Sequence, residues 1–226
     1  MKFFASYQGS FSVDSEYDDS SASPSRKKET RHPFSFLKTV YSKILGSCNG
    51  LVCLGYHTLD SGPLYCLWNP YTEEYKLIPK TTKPTALARY LTRKVSHGFG
   101  YDVMTNDYKF VAITKSNLPG SRVDIYSLGS NLWSKLLYIP FELHTYAAPG
   151  VFFNGSLHWF AYSGVLIALN IGDGSVLEIS QPESLDVNDK YVDVLGGCLG
   201  MLGSTKTDDF EDDEGLWSEG ILGKDA

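Results

Sequence analysis

Most of what a chain needs for catalysis or for crossing a membrane is missing from this sequence. There is no Gly-x-Ser-x-Gly elbow and no Walker loop, and Gly98-x-Gly100 lacks the third glycine and the following helix of a phosphate cradle. The five histidines, His32, His57, His97, His144 and His158, are not paired at metal-ligand spacing. Cysteine is scarce: Cys48, Cys53, Cys66 and Cys198 form no C-x-x-C pair, and no histidine falls at a zinc-finger offset. They read as small buried thiols of a reduced intracellular protein. Met1 to Ala5 begin like a signal peptide, but Ser6, Gln8, Ser10 and Asp14 cut the apolar run short. No stretch approaches the roughly 18 apolar residues of a membrane span. Basic charge is sparse, with 20 Lys and Arg against 26 Asp and Glu for a net −6, so phosphate counterion release offers nothing and duplex nucleic acid is excluded as a partner. Asp102 and Asp107 flank a turn, where aspartates bond their own backbone rather than form a catalytic pair. The expectation is therefore a cytoplasmic or nuclear protein with no catalytic residue, no cofactor, no metal and no membrane contact.

Helical signals are also missing: no long window keeps a 3.6-residue apolar period with caps at both ends. What is present is β. Aromatics make up 14% of the chain, and flat rings suit a pleated surface. Short apolar runs flank polar tips at Leu67–Pro79, Ile125–Leu136 and Ala168–Ile179. Asn69, Ser127 and Asn170 align within these copies. The second step has the roughly 40–50 residues of a propeller blade, and the first is longer. Asn49-Gly50 and Asn154-Gly155 precede further apolar runs, as does Gly196-Gly197. Asn-Gly tolerates the positive φ angles of a type I′ hairpin turn. The two kinds of turn alternate along the chain, which gives a four-strand, blade-like unit.

Residues 1–33 differ from the rest. Asp14 to Arg31 is dominated by Ser, Asp, Glu and Lys, too polar to offset the entropy of ordering, so the segment is expected to be disordered. The globular domain is expected over 34–226, with an insertion at Lys80–Lys94 and a solvated acidic run at Asp208–Glu214.

Aromatic residues fall into two groups. Trp68, Tyr75, Trp133 and Trp159 lie in regular strands and are expected in the core between blades. Tyr56, Tyr90, His144 and Tyr146 lie in or beside loops, and Arg89 and Arg93 join them from the insertion. Exposed loop aromatics and arginines are the usual anchors of a binding surface, so these six are the candidate partner-binding residues.

Six motifs then occur in order: Gly46 to Cys53, Leu67-Trp68-Asn69-Pro70, Gly98 to Asp102, Asn106 to Lys109, Val123 to Leu128 with Trp133, and Gly150 to Trp159. Together they resemble the F-box-associated β-propeller domain of plant F-box proteins, types 1 and 3, including the S-locus F-box group, over about residues 34 to 202. The resemblance implies an all-β, β-propeller-like (kelch-like) fold of about four blade-like units. It also implies a non-catalytic protein-interaction module that recruits the protein substrate of an SCF-type E3 ubiquitin ligase. In that family an N-terminal F-box docks on the ligase adaptor. Residues 1–33 contain nothing like an F-box, so an adaptor is a partner only if an F-box is supplied elsewhere. Gly215-Leu216-Trp217-Ser218 matches the start of a strand after which family members continue, so the propeller is expected to be incomplete, with truncated C-terminal blades. Open strand edges would then invite dimerisation or lower stability. The alternatives are a truncated paralogue or decoy without ligase activity, and a propeller lectin or enzyme. The last needs a ring of inward carboxylates or metal ligands, which the sequence does not supply.

Overall fold

The computed structural model describes residues 2–5, 10–14, 28–31, 33, 39–58, 62–80, 95–116, 119–143, 148–181, 189–205 and 216–221. They form eighteen strands and no helix, in five antiparallel sheets that are each a simple meander. The fold is all-β and propeller-like. No helix among the described residues is long and apolar enough to cross a membrane.

The chain divides into two compact units, Met1–Pro84 and Thr85–Ala226. The first holds the sheet β1 (Lys2–Ala5), β2 (Ser10–Asp14) and β3 (Lys28–Arg31), and the sheet β4 (Thr39–Cys48), β5 (Leu51–Thr58), β6 (Gly62–Trp68) and β7 (Tyr75–Ile78). The second holds β8 (Val95–Asp102) to β11 (Leu132–Ile139), with β9 at Asp107–Lys115 and β10 at Ser121–Ser127. It also holds β12 (Val151–Phe153), β13 (Ser156–Phe160), β14 (Leu166–Asn170) and β15 (Val176–Ile179), and then β16 (Asp189–Leu195), β17 (Cys198–Thr205) and β18 (Leu216–Ile221).

The four units expected from the repeats correspond to the last four sheets. The additional sheet, β1–β3, lies in the segment expected to be disordered. Composition hid it, because β3 is Lys-Glu-Thr-Arg and carries no apolar residue. A strand needs only backbone partners, and β2 supplies them, pairing Phe11 with Thr30 on one side and Val13 with Phe3 on the other.

In the second unit the sheets stack face to face. Val111, Ile113, Val123 and Ile125 pack with Leu157, Trp159, Ile167 and Leu169 between the first two sheets. The opposite face of β12–β15 packs Leu166 and Phe160 against Leu199, Met201 and Val192 of the third. Burial on both faces explains why β14 reads as a continuous run, Leu166-Ile167-Ala168-Leu169, with no alternation. β8 uses its two faces differently. His97 stacks on Phe110 at 5.7 Å and Phe99 on Tyr108 at 5.8 Å, while Gly98 and Gly100 face the neighbouring sheet. A Cβ at Gly98 would come within 2.7 Å of Leu157 Cδ1, and one at Gly100 within 2.2 Å of Phe152 Cδ2. These glycines let two sheets approach closely.

The hairpins confirm the turn chemistry read from sequence. Asn49 and Gly50 have φ of 47° and 81°, and Asn154 and Gly155 have 46° and 76°, as a type I′ turn requires. At the polar tips, Asn69 Oδ1 accepts from Tyr71 N at 2.9 Å, and Asn170 Oδ1 accepts from Gly172 N at 2.8 Å. Four residues on, Glu73, Asn131 and Gly174 all adopt positive φ, so the alignment of Asn69, Ser127 and Asn170 is present in the backbone.

Two expectations about aromatics are corrected. Trp68 and Trp159 are buried and Trp133 half-buried, but Tyr75 is 52% exposed, because β7 is the last strand of its sheet. Tyr56 is not at a loop surface. It continues the alternation of Val52 and Leu54 into β5 and is 2% exposed, packed with Cys66 and Trp68.

Candidate docking surface

The second unit has two unlike ends. β8 and β12 run parallel, tied by a bridge between Gly98 and Gly150, so the tight hairpins of both sheets turn toward one end and the longer connections toward the other.

At the hairpin end the charged groups are tied to their own turns. Asp102 is buried and accepts from Met104 N at 3.0 Å and Thr105 Oγ1 at 2.5 Å. Asp107 accepts from Gly129 N at 2.8 Å, which links two neighbouring hairpins. Lys109 is buried beside it, its Nζ donating to Ser127 Oγ at 2.7 Å and lying 3.4 Å from Asp107 Oδ2. Each carboxylate is held by amides or a cation in a fixed geometry, which suits a rigid turn rather than proton transfer. Val103 and Met104 project from the β8–β9 tip, 77% and 92% exposed.

At the other end the connection from β11 to β12 is anchored twice. Leu143 bridges Ala161, and Tyr162 N donates to Glu142 O at 2.6 Å. Gly150 N donates to His97 O at 2.7 Å. The described chain is thus tied down at Glu142 and Leu143 and again at Gly150, on either side of residues 144–147. Beside the Glu142 anchor lie exposed Tyr162, half-buried Phe141 and the exposed Lys115–Glu142 ion pair at 3.0 Å, and Tyr138 is exposed in β11. Gln181 Nε2 caps the β13–β14 turn at Gly164 O and receives Lys190 Nζ on its own Oε1.

Of the six residues predicted for partner binding, Tyr56 is in the core, as above. Arg89, Tyr90, Arg93, His144 and Tyr146 lie outside the described residues, the last two within the doubly anchored connection. The structure adds exposed Tyr162, Tyr138 and Met104, which sequence reasoning did not single out. Tyr162 carried a signal, because Tyr162-Ser163-Gly164 is a turn, with Gly164 at φ 80°.

The buried titratable groups are structural. Burial pushes the Cys66 thiol up to about 12 and raises Cys53 well above its usual range, which makes both poor nucleophiles. Burial lowers His158 below the ordinary imidazole value, partly offset by backbone hydrogen bonds at Val151 and Ser156. Among the described residues no group of three or more His, Cys, Asp or Glu side chains gathers as a metal set.

The sequence profile described as the F-box associated beta propeller domain matches residues 4–168. The chain belongs to this family. The match starts at β1, inside the segment expected to be disordered. An F-box/kelch-repeat protein of Arabidopsis thaliana is 30% identical over 183 residues, covering 76% of this chain and 48% of the relative. A putative F-box protein of the same plant is 29% identical over 208 residues, covering 89% of this chain and 38% of the relative. Another Arabidopsis F-box protein is 25% identical over 209 residues, covering 80% and 50%. The chain thus spans half or less of the length of these relatives. As an F-box-associated domain, its fold class and its kinship with F-box proteins are established.

Proposed function

We propose that this F-box-associated domain is the substrate-recognition part of an SCF-type E3 ubiquitin ligase, a non-catalytic module that captures a protein in the cytoplasm or nucleus. The observation that carries the reading is the family match over residues 4–168, with relatives that are themselves F-box proteins. The doubly anchored connection at residues 144–147 supports it, because capture by a rim loop needs a loop whose ends do not move. His144 and Tyr146 are the anchors we assign, with Tyr162 beside the fixed end at Glu142. Arg89, Tyr90 and Arg93 extend the assignment from the β7–β8 connection. The ligase adaptor is a partner only where an F-box is supplied elsewhere.

The test is to express the chain behind an F-box and to quantify protein abundance and ubiquitylation across the cell. A defined set of proteins is expected to fall with the fusion and not with the F-box alone. The triple variant His144→Ala, Tyr146→Ala, Tyr162→Ala is expected to spare that set. A profile indistinguishable from the F-box alone overturns the function. A triple variant that behaves like the parent overturns the surface.

A further inference from the structure

Four lysine and arginine side chains are described in the second unit, and three of them meet a carboxylate. Lys109 Nζ lies 3.4 Å from Asp107, Lys115 Nζ 3.0 Å from Glu142, and Arg122 Nη2 2.9 Å from Asp124. Lys190 is the exception. It stands second in β16, half-buried, and its Nζ donates at 2.9 Å to a neutral acceptor, Gln181 Oε1. Among the described residues no carboxylate pairs with it. A half-buried ammonium has given up part of its water, and an amide oxygen returns a dipole but no opposite charge.

Gln181 is itself fixed. Its Nε2 donates to Gly164 O at 2.9 Å, and the two partners decide which way the carboxamide points, since the reverse would set N–H groups against an ammonium. Gly164 belongs to the β13–β14 turn, closed by Gly164 N on Ala161 O at 2.9 Å and Ala161 N on Val165 O at 2.8 Å. Exposed Tyr162 stands in that turn, with its amide on Glu142 O. A chain of hydrogen bonds and one tight turn thus runs from the Lys190 ammonium to Tyr162 and the Glu142 anchor of the candidate surface.

We propose that Lys190 is the acid-recognising point of that surface: it takes an Asp or Glu carboxylate of the captured protein, next to a residue that packs on Tyr162. This rests on the docking role assigned above. An ammonium carries three donors and Gln181 takes one, so two are left for a carboxylate. One positive charge matches one carboxylate. A phosphate dianion suits an arginine fork or a basic cluster, and Arg122, the arginine described in this unit, is already closed on Asp124 by paired hydrogen bonds. The net charge of −6 repels acidic partners at a distance, so the recognition is local to Lys190.

The test uses the full chain and a phage-displayed library of random peptides. The parent chain is expected to enrich peptides with Asp or Glu at one fixed position beside an aromatic or apolar residue. Lys190→Glu is expected to replace that acid by Lys or Arg and to keep the rest of the motif, which a loss of folding would not do. Lys190→Arg is expected to keep the acid. A synthetic copy of an enriched peptide, its acidic side chain changed to the amide, is expected to bind the parent chain about 3- to 10-fold more weakly, with the difference shrinking in high salt. That arm alters only the peptide, so it reports the pair even if a Lys190 variant fails to fold. A library that enriches nothing, enriched peptides without a fixed acid, or an acid retained by Lys190→Glu overturns the proposal. So does a phosphoserine in place of the acid that binds more than about tenfold tighter, which would assign the site to phosphorylated proteins. The docking role fails separately, in the F-box fusion.

Discussion

The indole of Trp159 occupies the space that a side chain at Gly150 would need: a Cβ there would lie 2.2 Å from Cε2 and 2.6 Å from Nε1. Nε1 has no hydrogen-bond partner among the described residues, so the ring is held by packing. Gly150 in turn donates its amide to His97 O and bridges Gly98, which joins two sheets and fixes one end of the 144–147 connection. One glycine thus links the core to the candidate surface.

Gly150→Ala is expected to destabilise the chain by about 1–3 kcal/mol, the usual cost of overpacking a filled core. The denaturant midpoint should fall with the slope unchanged. Trp159→Phe removes the clashing ring edge, so the double variant Gly150→Ala, Trp159→Phe should recover part of the alanine loss. Strictly additive losses in that cycle would show that the indole is not what the new methyl meets.

Two lysine–carboxylate pairs among the described residues of the second unit should differ in worth. Lys109 is buried, with Ser127 and Asp107 around its ammonium, so Ser127→Ala leaves part of a buried cation unsatisfied. Its expected cost is about 1.5–3 kcal/mol. The Lys115–Glu142 pair is about half exposed, at 49% and 44%, and Glu142→Gln should change stability by less than about 1 kcal/mol, less still in high salt. Chemical denaturation at two salt concentrations decides. Equal losses at both sites would remove the distinction.

Local chemistry made much of this fold legible. Asn154-Gly155 announced its turn because few residue pairs accept two positive φ angles, and Asn170 announced its tip because its side chain caps its own backbone. Tyr56 misled because its exposure depends on β6 pairing beside it, a partner that no local pattern reveals. Tyr75 misled in the opposite sense, since strand pattern alone does not show which strand will be last in its sheet. β3 was illegible for a third reason: a ladder ties backbone to backbone and leaves no mark on side-chain composition. The anchoring of residues 144–147 was hidden in the same way, because the amide of Gly150 and the carbonyl of Glu142 carry it.

His158 should make stability fall as pH drops. It lies in β13 on the face that carries Phe160, buried, with Nδ1 3.2 Å from Val151 O, and burial holds it below its usual value of 6.5. The folded chain therefore keeps it neutral where the unfolded chain takes up a proton. Above about pH 6.5 both states are neutral there and its contribution is complete. Below that pH the unfolded state is favoured, by at most about 1.4 kcal/mol per pH unit, until the folded pKa is reached. His158→Leu should flatten this part of the profile, and subtracting its unfolding free energies from the parent's between pH 5 and 7.5 cancels the other four histidines. Parallel curves for the two chains would mean that His158 is as easily protonated folded as unfolded.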